Sequence, residues 1–271
     1  MKLSIIKILT PLFIFFFTIQ GSTQSFQGKA YYFSKSKMEL GNWGARMSEA
    51  QKKQIQNRLK DRLEKKYILN FNMQESTFLE EDKIDAISGA TDSWGGYFSR
   101  GDLHKNIKEN KLVQSQEFYG KRFLVKDKLV NIEWSLGTET KKIGNYTCYK
   151  AAAMVPKSEL NWFDFSWSDL RQNSDETQKI EEPMIVIEAW YTPQIPVAQG
   201  PAEYWGLPGL ILEVSAGNTT LLCSEITLNP KEKVTITAPD KGENITKKGY
   251  TSNILKKMVE MRNNRMGRRS R

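Results

Sequence analysis

Few residues of this chain could do acid–base, nucleophilic or metal chemistry. The single histidine, His104, lies in a polar stretch at residues 101–106 that predicts a surface loop. One histidine excludes multi-histidine zinc sites and leaves one candidate base for a serine or cysteine nucleophile. The sequence contains no P-loop, dinucleotide-binding fingerprint, GxSxG or EF-hand pattern. We therefore expect no metal site and no cofactor.

Three glutamates, Glu188, Glu203 and Glu213, are the remaining candidates for catalysis. Two carboxylates can hydrolyse a glycoside without histidine if they face each other about 5 to 10 Å apart. Glutamates on an alternating strand usually face water, which favours a structural role for these three. We therefore predict a protein that is not an enzyme, with a hydrolase acting through paired carboxylates as the alternative.

Two cysteines, Cys148 and Cys223, are the only ones in the chain, and both lie in strand-like segments. In an oxidising compartment such a pair often forms a disulfide, which would stabilise the fold by roughly 4 kcal/mol. Two buried free thiols are the alternative. Spacing along the sequence cannot decide between them, because a disulfide depends on Cα geometry.

Aromatic residues are the best candidates for binding. Several of them crowd a segment between Pro156 and Pro183 that is otherwise acidic, which predicts a long hairpin loop or lid. They could pack back onto the sheet, which we favour, or form an exposed binding surface. The predicted binding residues, here and around residues 191–205, are Trp162, Trp167, Trp190, Tyr191, Tyr204 and Trp205.

The prolines at residues 191–205 predict a rigid, extended connection between two strands, and we favour a stiff corner of the sheet over a ligand site there. Prolines forbid a helix there and cannot donate to a central strand ladder. Further along, Pro208 and Gly209 occupy the second and third positions of a predicted type II turn, in which Gly209 would take a positive φ. The structural motif comprises Pro193, Pro196, Gly200, Pro201, Gly206, Leu207, Pro208 and Gly209.

The dominant pattern after residue 66 is an alternation of apolar and polar residues, which is typical of strands. Before it, Ser48 and Gln51 form a capping box for a surface helix that ends near Lys65. The alternation recurs at Val234 and Ile236, and the segment 184–190 is apolar on both faces, as in a strand buried on both sides. Strands are predicted at residues 26–33, 67–71, 75–80, 112–116, 121–126, 128–136, 146–155, 184–190, 210–214 and 220–226.

Charge and targeting signals divide the chain. Residues 1–24 combine an early positive charge, a short apolar run and small residues, as a secretory signal peptide does. The formal net charge is +9, but residues 256–271 hold seven basic residues against Glu260. The remainder is nearly neutral, so we expect no nucleic-acid partner. The tail predicts either a short helix at an anionic membrane surface or, as we favour, a frayed terminus.

The segment YTPQIPVAQGPAEYWGLPGLILEV at residues 191–214 resembles the signature of the GLPGLI family, secreted proteins of unknown function from Bacteroidetes-type bacteria. The segments KKYILNFNMQES, KRFLVKDKLVNIEW and TKKIGNYTCYKA are similar to the same family in order. The resemblance implies export to the periplasm or outer membrane. It also implies a role accessory to TonB-dependent outer-membrane receptors, beside which such proteins are expected to be encoded.

Together these patterns predict a mainly β protein, a curved antiparallel sheet like a half-barrel or lipoprotein carrier, with one or two peripheral helices. Its parts would be a signal peptide at 1–24, a single β-rich domain at 25–250 and a basic tail at 251–271. The expected function is that of an exported, non-catalytic protein that binds an apolar ligand, a peptide or an envelope protein. A purely structural envelope component is a further alternative.

Overall fold

The computed structural model describes residues 26–37, 46–81, 100–163 and 182–267. The predicted signal peptide, Trp167 and most of the predicted lid lie outside these residues. Within them, no helix is both long enough and apolar enough to cross a membrane.

Twelve strands form one open sheet in the order β12-β6-β5-β4-β3-β2-β1-β11-β10-β9-β8-β7. All neighbouring pairs are antiparallel except β12 with β6, which is parallel. The predicted mainly antiparallel fold is therefore confirmed. The strands are β1 (Gln27–Ser36), β2 (Glu64–Asn72), β3 (Glu75–Glu80), β4 (Leu103–Asn106), β5 (Lys111–Phe118), β6 (Lys121–Asp127), β7 (Ser135–Ile143), β8 (Tyr146–Pro156), β9 (Met184–Thr192), β10 (Leu210–Ala216), β11 (Thr219–Leu228) and β12 (Glu243–Ile245).

The described helices lie at the periphery of the sheet. They are α1 (Glu49–Arg58), α2 (Lys60–Leu63), α3 (Lys157–Leu160) and α4 (Lys247–Gly267). The predicted capping box is confirmed, because Ser48 Oγ accepts from the Gln51 backbone while the Gln51 side chain accepts from the Ser48 backbone. No residue of α1 is buried, which agrees with the predicted surface helix.

Buried and more exposed side chains alternate along β1 and β2, the two strands at the centre of the sheet. Every second side chain is buried, and the register pairs Ala30 with Leu69 and Tyr32 with Tyr67. Side chains that alternate in this way present one apolar face, which the sheet must cover to remove it from water. Leu210 and Ile187 join the same core cluster from β10 and β9.

Several predicted elements differ in the structure. Residues 128–134 alternate in burial as predicted but form no strand ladder, and Val234 and Ile236 also lie outside any strand. The loop predicted around His104 is strand β4, and His104 is buried. Strand β9 is not buried on both faces, since Met184 and Val186 are exposed near its start.

The C-terminal tail is not a frayed terminus over its described part. Helix α4 packs on the sheet through Tyr250, Ile254 and Met258, which are buried in a second apolar cluster with Phe118 and Phe123. Tyr250 meets Phe123 edge to face at a centroid distance of 5.4 Å. These buried contacts, rather than the basic residues between them, fix the helix.

Candidate ligand-binding cleft

The proline-rich segment at residues 193–209 covers the inner face of the sheet. Its Ile195, Val197 and Leu207 side chains are buried in the main core. Backbone amides tie it to β10, since Leu210 N donates to Ile195 O at 2.9 Å and Ile211 N to Gln199 O at 3.1 Å. Part of the hollow that the sheet would otherwise enclose is therefore filled by the chain itself.

The glycines at the end of this segment have different roles from those predicted. Gly206, not Gly209, takes the positive φ, at 93°. Gly209 N donates to Leu207 O at 2.8 Å, which is a three-residue turn rather than the predicted type II turn. A Cβ on Gly209 would lie 2.2 Å from Thr192 O. Gly209 is thus required by close backbone approach and not by its φ.

Lys105 on β4 holds the same segment in place through its side chain. Its side chain is fully buried, and Nζ donates to Gly200 O at 2.7 Å and to Tyr204 O at 2.9 Å. Burial lowers the pKa of Lys105 to about 7, with Glu203 opposing that change and Arg100 adding to it. The sequence contained no signal for this contact, because a lysine in a polar stretch normally predicts a solvated loop.

Glu203 is the centre of a buried polar network beside Lys105. Its Oε2 lies 2.5 Å from Lys247 Nζ, and its Oε1 accepts from Trp162 Nε1 at 2.7 Å. Arg100 Nη1 is 3.8 Å from the same Oε1, beyond hydrogen-bonding distance. The network joins the proline-rich segment to α4 and to the residues after α3.

A cleft of about 610 Å³ opens next to this network. Its floor consists of apolar and small side chains at one end of strands β1, β2, β3 and β11, and residues after α3 form one wall. Such a volume lies within the range typical of small-molecule sites, about 300 to 1,000 Å³. The described residues that line it are Ser34, Ser36, Leu63, Lys65, Tyr67, Phe78, Arg100, Lys157, Asn161, Phe163, Ile185, Tyr204, Ala216, Gly217, Asn218, Thr219 and Leu221.

Charge in the cleft has one sign. Lys65, Arg100 and Lys157 line it, and among the described lining residues there is no aspartate or glutamate. Lys65 Nζ is already bound by Glu80 at 2.7 Å. Burial is the main reason that the pKa of Tyr67 is raised to about 12, as is that of Tyr204, so both phenols stay neutral donors near pH 7.

A second hollow, of about 510 Å³, includes Gly101 in its lining, the residue next to Arg100 of the first cleft. Asp102, Glu117, Arg122, Asp240 and Lys241 line it, so charges of both signs face the same space. The first cleft is the larger of the two, and its charged lining residues have one sign. We therefore take the first cleft as the candidate site.

Comparison with known proteins gives limited information. Residues 134–213, which run from before β7 into β10, match the model of a family described as a protein of unknown function, Porph_ging. No protein with a curated description matches the chain. The match supports a family of unknown function, and the GLPGLI name stays a prediction.

Two solved structures of PNGF-II match the chain at low similarity. The structure in space group C2 has a TM-score of 0.49 at 15% identity, covering 85% of this chain and 33% of that chain. The structure in space group P21 has a TM-score of 0.42 at 15% identity, covering 77% of this chain and 29% of that chain. The chain thus spans about a third of the length of these structures, and a likeness at this level says nothing about function.

Most of the predicted binding aromatics that lie within the described residues are buried. Trp162, Trp190 and Tyr191 are buried, and Trp205 Nε1 donates to Val130 O at 2.9 Å. Of the six, Tyr204 lines the cleft, while Trp167 lies outside the described residues. Burial of Trp162 agrees with the favoured alternative, in which aromatics after Pro156 pack back on the fold.

The three candidate carboxylates do not face one another across the cleft. Glu203 is buried under Trp162 and Lys247, whereas Glu213 Oε2 bonds Lys141 Nζ at 2.7 Å. Glu188 Oε2 lies 3.1 Å from Lys150 Nζ, and this hydrogen bond lowers the pKa of Glu188. The described residues hold no group of three or more potential metal ligands.

Both cysteines are buried free thiols in the structure. Burial raises the pKa of Cys148 to about 11 and that of Cys223 to about 12, so neither is a thiolate near neutral pH. A buried thiol with a raised pKa is a poor nucleophile. The disulfide between them stays a prediction about the oxidised protein.

Proposed function

We propose that this chain is an exported, non-catalytic protein of the cell envelope that holds a small apolar ligand in the cleft beside Tyr204. The observation that carries the proposal is the cleft of about 610 Å³, whose floor includes Tyr67, Phe78 and Leu221. A rigid sheet supplies this floor, so little ordering entropy has to be overcome on binding. An apolar surface held open in this way gains free energy when a ligand displaces its water.

The support for a carrier rather than a hydrolase lies in the carboxylates. Glu188, Glu203 and Glu213 each bond a different lysine, and none of them lines the cleft. A glycosidase of the usual kind needs two such groups flanking the reacting bond. A ligand held in this cleft would therefore meet none of the candidate carboxylates, which supports the carrier that we propose.

Binding of the neutral apolar dye N-phenyl-1-naphthylamine tests the proposal. We expect its fluorescence to rise on addition of the protein, with saturation at one dye per chain. Thr219→Trp puts an indole at the cleft wall and should weaken dye binding about 10-fold or more by filling the space. Leu222→Trp is the matched control, since Leu222 is 40% exposed on the same strand and does not line the cleft. Absence of saturable binding by the folded wild type would refute the proposal.

Location and partner belong to the same proposal. The apolar run and small residues of segment 1–24 support export to the periplasm or to the outer-membrane surface. There the protein would work beside a TonB-dependent receptor or another envelope protein. Fractionation of cells followed by cross-linking and mass spectrometry tests this part, and recovery of the protein in the cytoplasm would contradict it.

A further inference from the structure

We infer that the ligand of the cleft is an amphipathic organic anion, with a carboxylate head held by Arg100 and Lys157 and an aliphatic body lying on the strand floor. This inference rests on the proposed function and specifies the chemistry of its ligand. It follows from three features of the cleft: the unsatisfied donor of Arg100, the positive charge of the lining and the apolar side chains within it.

Arg100 has a buried donor that the protein does not satisfy. Its side chain is 16% exposed, and Nη1 has no hydrogen-bond partner among the described residues. Glu203 Oε1 is 3.8 Å from Nη1, beyond hydrogen-bonding distance, and already accepts from Trp162. A buried donor without an acceptor costs about 1 to 3 kcal/mol. A ligand oxygen at this end of the cleft would remove that cost.

The position of Arg100 is fixed by its neighbours. Its guanidinium carbon lies 4.8 Å from the ring centroid of Phe163, which also lines the cleft. Stacking on an aromatic ring holds the planar group without using its N–H donors. The unsatisfied Nη1 donor therefore stays available for a ligand carboxylate, which a guanidinium binds through charge-assisted hydrogen bonds.

The charge around Arg100 favours an anion. Lys157 also lines the cleft and forms no ion pair within the described residues, in contrast to Lys65, which Glu80 neutralises. Glu203 is the one carboxylate of the described network behind the wall, where it is shared by Lys247 and Arg100. A negatively charged ligand would therefore pair with the cations of the lining and would not be repelled by a carboxylate among the described lining residues.

The remainder of the lining fits an aliphatic chain. Tyr67, Phe78, Ile185 and Leu221 supply apolar side chains to the lining, together with the hydroxyl groups of Ser34 and Ser36. Each methylene buried against such side chains contributes about 0.8 kcal/mol. A lining that combines cations with apolar side chains selects a molecule with an anionic head and an aliphatic body.

Calorimetric titration with octanoic acid and with 1-octanol at pH 7.5 and low salt tests the inference. The two probes share their alkyl chain and differ in the head group, so their ratio of affinities measures recognition of charge. We expect the wild type to bind octanoate about 10-fold or more tightly than octanol, because hydrogen bonds between charged partners are the strong ones. Arg100→Gln should reduce octanoate affinity to that of octanol while leaving octanol binding unchanged.

Two further variants guard against a general effect of the substitution. Lys157→Gln removes a second cation of the lining and should lower octanoate affinity without changing the melting temperature. Lys66→Gln, an exposed lysine next in sequence to Lys65 but outside the lining, should have no effect on either probe.

The outcomes separate this inference from the proposed function. Equal binding of octanoate and octanol by the wild type would refute the anionic head and leave the apolar cleft standing. Unchanged octanoate affinity in both folded variants, Arg100→Gln and Lys157→Gln, would also refute it. Failure of both probes to bind, together with failure of the neutral dye, would refute the proposed function itself.

Discussion

Glu203 Oε2 lies 2.5 Å from Lys247 Nζ, and this ion pair joins the proline-rich segment to the first residue of helix α4. Both side chains are almost fully buried, at 1% and 8% exposure. Lys105 bonds the backbone oxygen of Tyr204, the next residue along the chain from Glu203. One short stretch thus fixes the helix, the segment and the wall of the cleft.

Removing the carboxylate should be strongly destabilising. Glu203→Gln leaves Lys247 buried without its partner charge, and breaking a buried ion pair in this way costs about 3 to 5 kcal/mol. Chemical unfolding measures the loss. Adding Lys247→Met to Glu203→Gln should recover part of it, because the unpaired ammonium is then gone. The exposed Glu225→Gln should change stability by less than about 0.5 kcal/mol, and an equal loss there would contradict the prediction.

Replacing Gly209 and replacing Gly206 should each destabilise the protein, but for different reasons. Gly206→Ala has room, since the nearest atom to the new Cβ is 3.7 Å away, so its cost is that of a positive φ, about 1 to 3 kcal/mol. Gly209→Ala must displace the backbone of Thr192, which should cost more and lower soluble expression. Thermal melting of both variants checks the order. Equal stability of Gly209→Ala and wild type would show that the close approach is not present.

Lys105 should make stability depend on pH between 7 and 9. The unfolded lysine keeps its proton near its ordinary pKa of 10.5, whereas the folded one loses it near 7. The unfolded state then binds more protons, so the free energy of unfolding rises with pH, by up to about 1.4 kcal/mol per unit. Below pH 7 both states are protonated, and this contribution stops changing.

Urea titrations at pH 7, 8 and 9 measure that rise. Lys105→Met should abolish it, and Lys66→Met, which alters an exposed lysine, should keep it. The window ends at pH 9 because Cys148 and Cys223, with raised pKa values, act in the opposite direction as unfolded thiols ionise. A rise that persists in a folded Lys105→Met protein would contradict the assignment.

The two thiols should be protected in the native protein. Ellman's reagent needs an accessible thiolate, and both cysteines are buried with raised pKa values. We expect slow reaction in buffer at pH 7.5 and two reactive thiols per chain in guanidinium chloride. Zero thiols in the denaturant, with two after reduction, would show the disulfide instead. Rapid reaction of the native protein would contradict the burial of both side chains.

Beyond the Lys247 ion pair, helix α4 should contribute to stability through its apolar face and not through its exposed charges. Met258→Ala removes a side chain with no exposure and should cost about 2 to 5 kcal/mol. Lys256→Ala, at an exposed position two residues earlier, should change stability by less than about 0.5 kcal/mol. Equal effects of the two substitutions in unfolding experiments would argue that the helix does not pack on β6.

Sequence periodicity was sufficient for most of the strands and for the start of α1. Residues 75–80 were predicted as a strand with the same bounds as β3, because alternation and strand ends are local properties. Periodicity failed to predict the structure of residues 128–134, where apolar and polar residues alternate but the segment pairs with no strand. There, Trp134 Nε1 donates to Trp205 O at 2.8 Å, a contact over 71 positions that no local pattern reports.

The candidate site was found less well than the fold. Tyr204 was the predicted binding residue that lines the cleft, whereas Arg100 and Lys157 carried no signal among 40 lysines and arginines. Lys105 was missed because a charged residue in a polar stretch predicts exposure. Its burial depends on two carbonyl oxygens, Gly200 O and Tyr204 O, about 100 positions further along the chain.

By itself, the sequence determined an alternating, predominantly antiparallel β fold with a capped surface helix and a rigid proline-rich corner. These features follow from side-chain spacing and from the fixed φ of proline, which act over a few residues. Only the tertiary structure decided that the corner fills the sheet, that the aromatics are buried and that cations meet at one cleft. Those outcomes depend on contacts between residues that are far apart in the sequence. Such contacts determine which side chains are buried and which charges are paired.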